Sequence, residues 1–405
     1  MSIMILRRIP ALCLMLALIL LCVPRVVAET TETEAEDLTR HMRIEQSEGH
    51  ANSAKQVRDD DLSESFRYMP YEQIRLTWEL SPEKPEYLCV QWGALPDHVR
   101  IRQLNAEEEI LSDSYADAVY DSIFQLSEDT RCVTVTAGSS GMELARLALF
   151  SEGTLPAPFF PWKDTPKGMD FLIVSTHPDD DVLFMGGIIP TYGAEQGYTG
   201  TVAYVTIPSR KRINEANLCA REMGAEYRPF FLGFQDIGQP VKDSYLSWFL
   251  PETVTLAFVR MLREYRPVVV FSHDLNGEYG HWQHSIVASS ILEACRHAAD
   301  PEYDPFSFEE FGTWEVQKCY LHLYEDNPLV MDVSVPLSSR GGRTALEVAR
   351  DAFKLHKSQQ NGRHIVEDED GNYPLNRFGM AYGTVEAGSD AFDNIDSALL
   401  KRNSR

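Results

Sequence analysis

The sequence contains few cysteines, and their spacing matches no paired-cysteine motif. Only 7 of the 405 residues are cysteine, and no two of them form a C-x-x-C pair. Five lie beyond the first 28 residues, an odd number that argues against a disulfide framework or a thiolate zinc site. We therefore expect two domains with buried apolar cores, for which 44% hydrophobic residues are ample.

Basic residues are also scarce. The chain has 37 lysines and arginines against 61 aspartates and glutamates, which gives a formal net charge of -24. A protein of this charge repels nucleic acid and other polyanions. We expect no nucleic-acid partner, and a substrate that is neutral or cationic.

Long apolar runs are missing outside the N-terminus. Residues 1–28 combine a basic start with the apolar stretch Ile9–Val23 and small residues up to Ala28, a pattern typical of an export signal. The stretch is interrupted by Pro10 and is short for a membrane span. We expect a secreted or extracytoplasmic protein with no span in the mature chain. An uncleaved N-terminal segment would instead keep it at the cell surface.

The next two parts of the chain differ in composition. Residues 29–65 are polar and acidic and predict a flexible linker. Residues 66–155 hold short β-branched and aromatic runs between turn-forming segments, which predicts a small antiparallel β-sandwich. In outline this part resembles the galactose-binding-like sandwiches. Trp78 and Trp92 would then form a sugar platform, although single tryptophans in strands are more typical of a core.

Residues 168–402 follow a proline-rich connection and alternate apolar strands with helical patterns. This alternation predicts an α/β domain with a mostly parallel sheet and flanking helices. Ligands bind such sheets beyond the carboxyl ends of the strands. The segments in that position carry many polar residues, and they read HPDDD (177–181), IPSRKR (207–212), GFQD (233–236) and HDLNGEYGHWQH (273–284).

Two of these segments can together form a catalytic metal site. His177 and Asp180 are three residues apart and can reach one ion, and His284 completes a set of two histidines and one carboxylate with an open position. Zinc there would activate a water and polarise a carbonyl, which amide hydrolysis needs. Other divalent ions also accept this ligand set. Asp179 is the carboxylate left to take the water proton.

His281 lies one helical turn before His284 and can face the same site. In its protonated form it would stabilise an oxyanion or protonate the leaving amine, and Tyr279 would add a phenolic donor. Each motif alone has a plainer explanation, namely helix capping for the aspartates and a surface position for the histidine pair. Their occurrence after separate strands favours a catalytic site.

Three motifs resemble the signatures of the PIG-L/LmbE family of zinc-dependent N-acetylglucosaminyl deacetylases: HPDDD, RINEANLCAREMGA (212–225) and NGEYGHWQH (276–284). The resemblance covers roughly residues 168–398 and implies a Rossmann-like fold. It also implies the following site: metal ligands His177, Asp180 and His284, general base Asp179, and oxyanion support from His281 and Tyr279.

Two further residues of these motifs are candidate substrate contacts, Arg212 and Asn276. Arg212 is equally suited to an ion pair with Glu215, one turn along the same helix.

The chain departs from the family pattern at two places. Asp181 stands where the first signature usually has Glu, which puts in doubt any contact made from that position. The last signature often reads GHPDH, whereas this chain has Trp282 and Gln283. Gln283 has no negative charge to orient His281, which favours a lower pKa for that histidine.

These observations predict an exported zinc-dependent hydrolase that removes the acetyl group from an N-acetyl amino sugar or glycoconjugate. Two alternatives stay open. One is a deacylase of a non-sugar N-acyl conjugate, and the other is a catalytically silent carbohydrate-binding protein. The sequence leaves the oligomeric state open.

Overall fold

A computed structural model describes residues 33–45, 57–58, 65–78, 84–117, 119, 121–156, 159, 161–207, 209–237 and 251–401. The predicted export signal lies outside these residues, so it stays a prediction. Within the described ranges, no helix is both long and apolar enough to cross a membrane.

The N-terminal part consists of two antiparallel sheets. Its strands are β1 (Met42–Glu45), β2 (Phe66–Tyr68), β3 (Gln73–Trp78), β4 (Pro85–Trp92), β5 (Arg100–Leu104), β6 (Ile110–Tyr115), β7 (Asp121–Gln125), β8 (Cys132–Thr136) and β9 (Met142–Ser151). One sheet has the order β1-β3-β8-β5-β6 and the other β2-β9-β4-β7. Alternate side chains of both sheets form one apolar core between them.

Both tryptophans of this part lie in that core. Trp78 is 9% exposed and Trp92 only 1%, and the indole N–H of Trp92 donates to Ser122 Oγ at 2.9 Å. The prediction that they are core residues is confirmed, and a sugar platform built on them is excluded.

The prediction of a flexible linker is wrong for part of residues 29–65. Met42–Glu45 pair with β3 in antiparallel register, and Leu38 and Met42 are buried in the core. Burial of these scattered apolar side chains lowers the free energy of the folded state, and their polar neighbours stay at the surface and keep their hydration.

The C-terminal part has one seven-stranded sheet with the order β12-β11-β10-β13-β14-β16-β15. Its strands are β10 (Met169–Ser175), β11 (Gly200–Thr206), β12 (Phe230–Phe234), β13 (Pro267–Ser272), β14 (Lys318–His322), β15 (Pro328–Val330) and β16 (Arg377–Gly383). The first five in the sheet order are parallel, whereas β16 pairs antiparallel with both β14 and β15. The prediction of a mixed α/β protein is confirmed.

Helices cover both faces of this sheet. They are α1 (Asp180–Met185), α2 (Arg210–Met223), α3 (Pro251–Tyr265), α4 (Trp282–His297), α5 (Pro305–Phe311) and α6 (Ala345–Phe353), with a π-helical segment at Ile189–Glu195. The central strand β10 shows how the faces divide. Phe171 and Ile173 pack with α1, α2 and α6, while Leu172 and Val174 pack with α3 and α4.

The order in which successive strands are added to the sheet reverses after β12, so that β13 lies on the other side of β10. From this strand β11 and β12 lie on one side, and β13 and β14 lie on the other. A crevice opens beyond the carboxyl ends of the strands at such a reversal. The segments that follow β10 and β13 meet there.

Candidate metal centre and active site

Two strand-to-helix connections position the polar side chains. Asp179 joins β10 to α1 with a backbone φ of 123°, a value that L-residues rarely adopt. Asp180 is the first residue of α1, and His284 lies in the first turn of α4. The strain at Asp179 indicates that the surrounding structure holds this turn in place.

The three predicted ligands converge. Asp180 Oδ2 lies 2.9 Å from His177 Nδ1 and 3.1 Å from His284 Nε2. The two ring nitrogens are 3.3 Å apart. All three side chains are buried, with exposed fractions of 7% or less.

This donor set fits a small metal ion. Donor atoms about 2.0–2.1 Å from a tetrahedral zinc stand roughly 3.3 Å from one another, close to the spacings observed here. His273 also brings a ring nitrogen near Asp180 and His284, but both of its nitrogens already have other partners. Its Nε2 accepts from the Thr176 N–H at 2.9 Å, and its Nδ1 lies 2.9 Å from Glu278.

The charges of the donor set also favour a cation. Burial lowers the pKa of His177, but the Asp180 carboxylate outweighs it and the pKa rises to about 10. The same opposition raises the pKa of His284 to about 9. Burial raises the pKa of Asp180, yet the two imidazoles bring it well below its usual value. A positive charge is therefore strongly stabilised between these side chains.

The candidate base Asp179 is held by Arg212. The guanidinium donates to Asp179 Oδ1 at 2.9 Å and to the Pro178 carbonyl at 2.7 Å. Burial first, and the neighbouring Asp180 second, raise the pKa of Asp179 to about 8, although Arg212 opposes them. Glu215, the other partner expected for Arg212, instead accepts from the Ser358 N–H and hydroxyl. The predicted ion pair within α2 is therefore absent.

His281 faces the same pocket, and its pKa is lowered, as the sequence suggested from the neutral Gln283. Its ring centroid lies 4.9 Å from that of His177 and 4.5 Å from that of His284. Burial and then the positive charges of His284 and His177 lower the pKa of His281 to about 4. This low pKa favours a neutral ring at pH 7, which would donate one N–H.

Tyr279 lies at the rim with 43% of its surface exposed. Its backbone φ is 57°, and its ring packs against Tyr373 and His364 at centroid distances of 4.5 and 5.3 Å. A phenol held in this position can reach into the pocket, as its predicted role requires.

Three other residues lie elsewhere than the sequence suggested. Asn276 is exposed, and its side chain donates to Asp274 Oδ1 in a turn, so it does not line the pocket. Gln283 lies 3.1 Å from His177 Nε2 and is a neighbour of that ligand. Asp181 is fully buried beside Tyr204, and burial raises its pKa to about 7.

A cavity of about 180 Å³ opens above the donor set. Larger cavities of about 300 and 710 Å³ lie between the two parts of the chain, but no histidine lines them. The lining of the small cavity includes residues whose roles sequence reasoning missed: Leu183, Asp236, Gln359 and His364. Asp236 could have been found, because it ends the segment GFQD and now lies 3.5 Å from His177 Nε2.

Comparison with known proteins identifies one matching family. Residues 172–295 match the family described as PIG-L, GlcNAc-PI de-N-acetylase. We call the C-terminal part of the chain, which contains this match, the PIG-L domain. The matched segment contains all three residues of the donor set and the candidate base.

Two curated relatives share the description 1D-myo-inositol 2-acetamido-2-deoxy-alpha-D-glucopyranoside deacetylase. The protein from Geodermatophilus obscurus is 32% identical over 180 residues, which are 37% of this chain and 59% of the relative. The protein from Rhodococcus opacus is 32% identical over 187 residues, which are 39% of this chain and 62% of the relative. The chain thus spans about three fifths of the length of either relative.

Among solved structures, the PIG-L domain is similar to an N,N'-diacetylchitobiose deacetylase from Pyrococcus horikoshii. The identity is 18% and the TM-score 0.38, over 48% of this chain and 72% of that protein.

Proposed function

We propose that this protein is an exported, zinc-dependent hydrolase that removes the acetyl group from an N-acetyl amino sugar. The observation that carries the proposal is the convergence of His177, Asp180 and His284 on one point beside Asp179, inside a PIG-L domain. The order of the five parallel strands supports a Rossmann-like assignment of the sheet. Export rests on the pattern of residues 1–28.

In the proposed reaction, water adds to the amide carbonyl, the bond from the carbonyl carbon to nitrogen breaks, and acetate and a free amine form. His177, Asp180 and His284 would hold a divalent ion, which would supply Lewis-acid polarisation of the carbonyl and acidify a water. Asp179 accepts the proton of the attacking water, and its pKa of about 8 suits a group that takes and returns a proton near neutral pH. Because His281 is neutral, Asp179 also returns the proton to the leaving nitrogen.

Two donors support the oxyanion in this proposal. The neutral His281 offers one ring N–H next to the donor set, and Tyr279 offers its hydroxyl from the rim. Arg212 keeps Asp179 oriented through the 2.9 Å contact. The charge on the substrate therefore develops between fixed donors.

The cavity limits the size of the substrate group. Pockets for drug-sized ligands usually enclose roughly 300–1,000 Å³, and this one encloses about 180 Å³. It suits an acetamido group with part of one sugar ring, while the remainder of a glycoconjugate would stay outside.

The first test combines metal content with acetate release. Elemental analysis of the purified protein should find about one zinc per chain, and the His284→Ala variant should lose it. His297→Ala is the matched control, because His297 lies at the exposed end of the same helix and pairs with Glu293. Little zinc in the wild type, even after zinc is supplied, would contradict the proposal.

The substrate class is tested by comparing N-acetylated amino sugars with non-sugar N-acetyl amides. Acetate released only from the sugars supports the proposal. Release only from the other amides favours the deacylase of non-sugar conjugates. Sugar binding without any acetate release favours a silent carbohydrate-binding protein.

A further inference from the structure

One buried carboxylate is shared by three imidazoles behind the donor set. Glu278 has no exposed surface. Its Oε2 lies 2.9 Å from His273 Nδ1 and 2.8 Å from His284 Nδ1. Its Oε1 lies 2.8 Å from His322 Nδ1 and accepts from the Asp274 N–H at 3.1 Å. Three ring nitrogens and one backbone N–H thus surround the two oxygens of one carboxylate.

The Nε2 atoms of His273 and His322, which face away from Glu278, also have hydrogen-bond partners. His273 Nε2 accepts from the Thr176 N–H at 2.9 Å, so its hydrogen is on Nδ1 and points at Glu278. His322 Nε2 lies 3.0 Å from the Pro374 carbonyl oxygen, which only accepts. His322 therefore bridges Pro374 and Glu278. Both rings hold the carboxylate in one orientation.

The third ring is that of the candidate ligand His284. Its Nδ1 lies 2.8 Å from Glu278 Oε2, and its Nε2 faces Asp180 Oδ2 and His177 Nδ1. With the Nδ1 hydrogen donated to Glu278, Nε2 is the nitrogen left to bind a metal. A carboxylate behind a metal-binding imidazole fixes its tautomer and ring orientation and raises its basicity. Without Glu278 either ring nitrogen of His284 could carry the hydrogen.

The network also ties the ligand to the sheet. His273 directly follows β13 and His322 ends β14, while Glu278 lies in the loop before α4. Movement of α4 relative to the two strands would break at least one of these contacts. The position of His284 is thereby linked to the most buried part of the domain.

We propose that Glu278 is the positioning residue of His284, and that His273 and His322 hold Glu278 in place for this role. The proposal rests on the metal site of the proposed function. Glu278 touches neither the pocket nor, in this proposal, the substrate.

Zinc affinity tests the proposal directly. In the Glu278→Gln variant one donor of the network would face the amide NH₂ group, so the orientation of His284 should relax. We expect zinc to bind about 10–100-fold more weakly, as measured by competition with a chromophoric chelator. The visible spectrum of the Co²⁺ form should change as well, which a purely structural role would not cause.

Glu293→Gln is the matched control, because it makes the same change at an exposed residue of α4 that pairs with Arg296. We expect its zinc affinity and Co²⁺ spectrum to equal those of the wild type. Glu278→Gln with an affinity within twofold of the wild type and an unchanged spectrum would overturn the proposal.

Nitrogen-15 NMR of the metal-free wild type decides the matter even if Glu278→Gln does not fold. The spectrum is recorded at a pH above the pKa of His284, so that the ring is neutral. His284 should then carry its one hydrogen on Nδ1, and a hydrogen on Nε2 would overturn the proposal. A wild type that binds zinc but releases no acetate from any substrate defeats the proposed function, and both positioning tests still apply. A wild type without zinc affinity defeats the metal site itself, and with it the proposed role of Glu278.

Discussion

Asp179 combines a strained backbone with a buried, arginine-held carboxyl group. Its φ of 123° and its contact with Arg212 keep the carboxylate beside the donor set without making it part of that set. At the residue scale, catalysis and metal binding therefore fall on neighbouring side chains that substitution can separate.

Asp179→Asn should abolish most turnover and leave the zinc content unchanged. The amide cannot accept the water proton, and loss of general base catalysis typically costs about 10²–10⁴-fold. Acetate release and elemental analysis measure the two effects. Asp181→Asn is the control, because it makes the same change at a nearby residue that does not line the pocket. Its activity should stay within a few-fold of the wild type. Full activity of Asp179→Asn would remove the role assigned to Asp179.

At the scale of elements, the loop between β13 and α4 is the most constrained connection at the site. Gly277 has a φ of 72°, and a Cβ there would collide with the His281 carbonyl oxygen and approach Ser285 Oγ to 2.8 Å. Gly280 has a similar φ of 70°, but a Cβ would meet nothing within 4 Å. Alanine substitutions at the two glycines therefore distinguish backbone strain from steric collision.

Gly277→Ala should disturb the site more than Gly280→Ala. Both alanines bear the strain of a left-handed backbone, roughly 1–2 kcal/mol. Only the alanine at position 277 also collides with the backbone of His281. We expect a larger fall in the thermal unfolding midpoint and weaker zinc binding for Gly277→Ala. Equal effects of the two variants would show that the collision is relieved without cost.

How clearly the sequence marks an element depends on the strength of its local pattern. The buried parallel strands β10, β11 and β13 are continuous apolar runs, which can be recognised in the sequence. In contrast β6 (ILSDSY) cannot be recognised in this way. It is an edge strand with almost every side chain exposed, so no apolar alternation marks it in the sequence.

At the scale of the whole molecule, polar contacts join the sandwich to the PIG-L domain. Asp121 at the start of β7 is paired with Arg228 at 2.8 Å, and Asn217 of α2 donates to the same carboxylate at 3.4 Å. Burial raises the pKa of Asp121, and Arg228 opposes that rise. The carboxylate thus depends on Arg228 for its charge.

Arg228→Met should destabilise the protein, because it leaves Asp121 buried without its ionic partner. Breaking a buried pair in this way costs about 3–5 kcal/mol, and since Arg228 is partly exposed we expect the lower end. Urea unfolding measures the loss. Lys163→Met removes an exposed ion pair with Glu226 and should cost less than about 1 kcal/mol. Similar losses for both variants would mean that the Asp121 contact contributes no more than a surface pair.

The sequence by itself predicted the alternation of strands and helices in the PIG-L domain and grouped the residues proposed as metal ligands. Apolar periodicity is local, and the carboxyl ends of parallel strands meet at one edge whatever the loops between them do. Hence His177, Asp180 and His284 could be grouped although 107 positions separate the first from the last.

Only the tertiary structure decided which side chains support that set. Arg212 contacts Asp179 and not Glu215, Gln283 contacts His177, and His322 reaches Glu278 across 44 positions. These contacts depend on the order of the strands and on the path of each loop. Spacing along the chain carries no information about either, because a hydrogen bond is made by whichever partners the packed fold brings within about 3 Å.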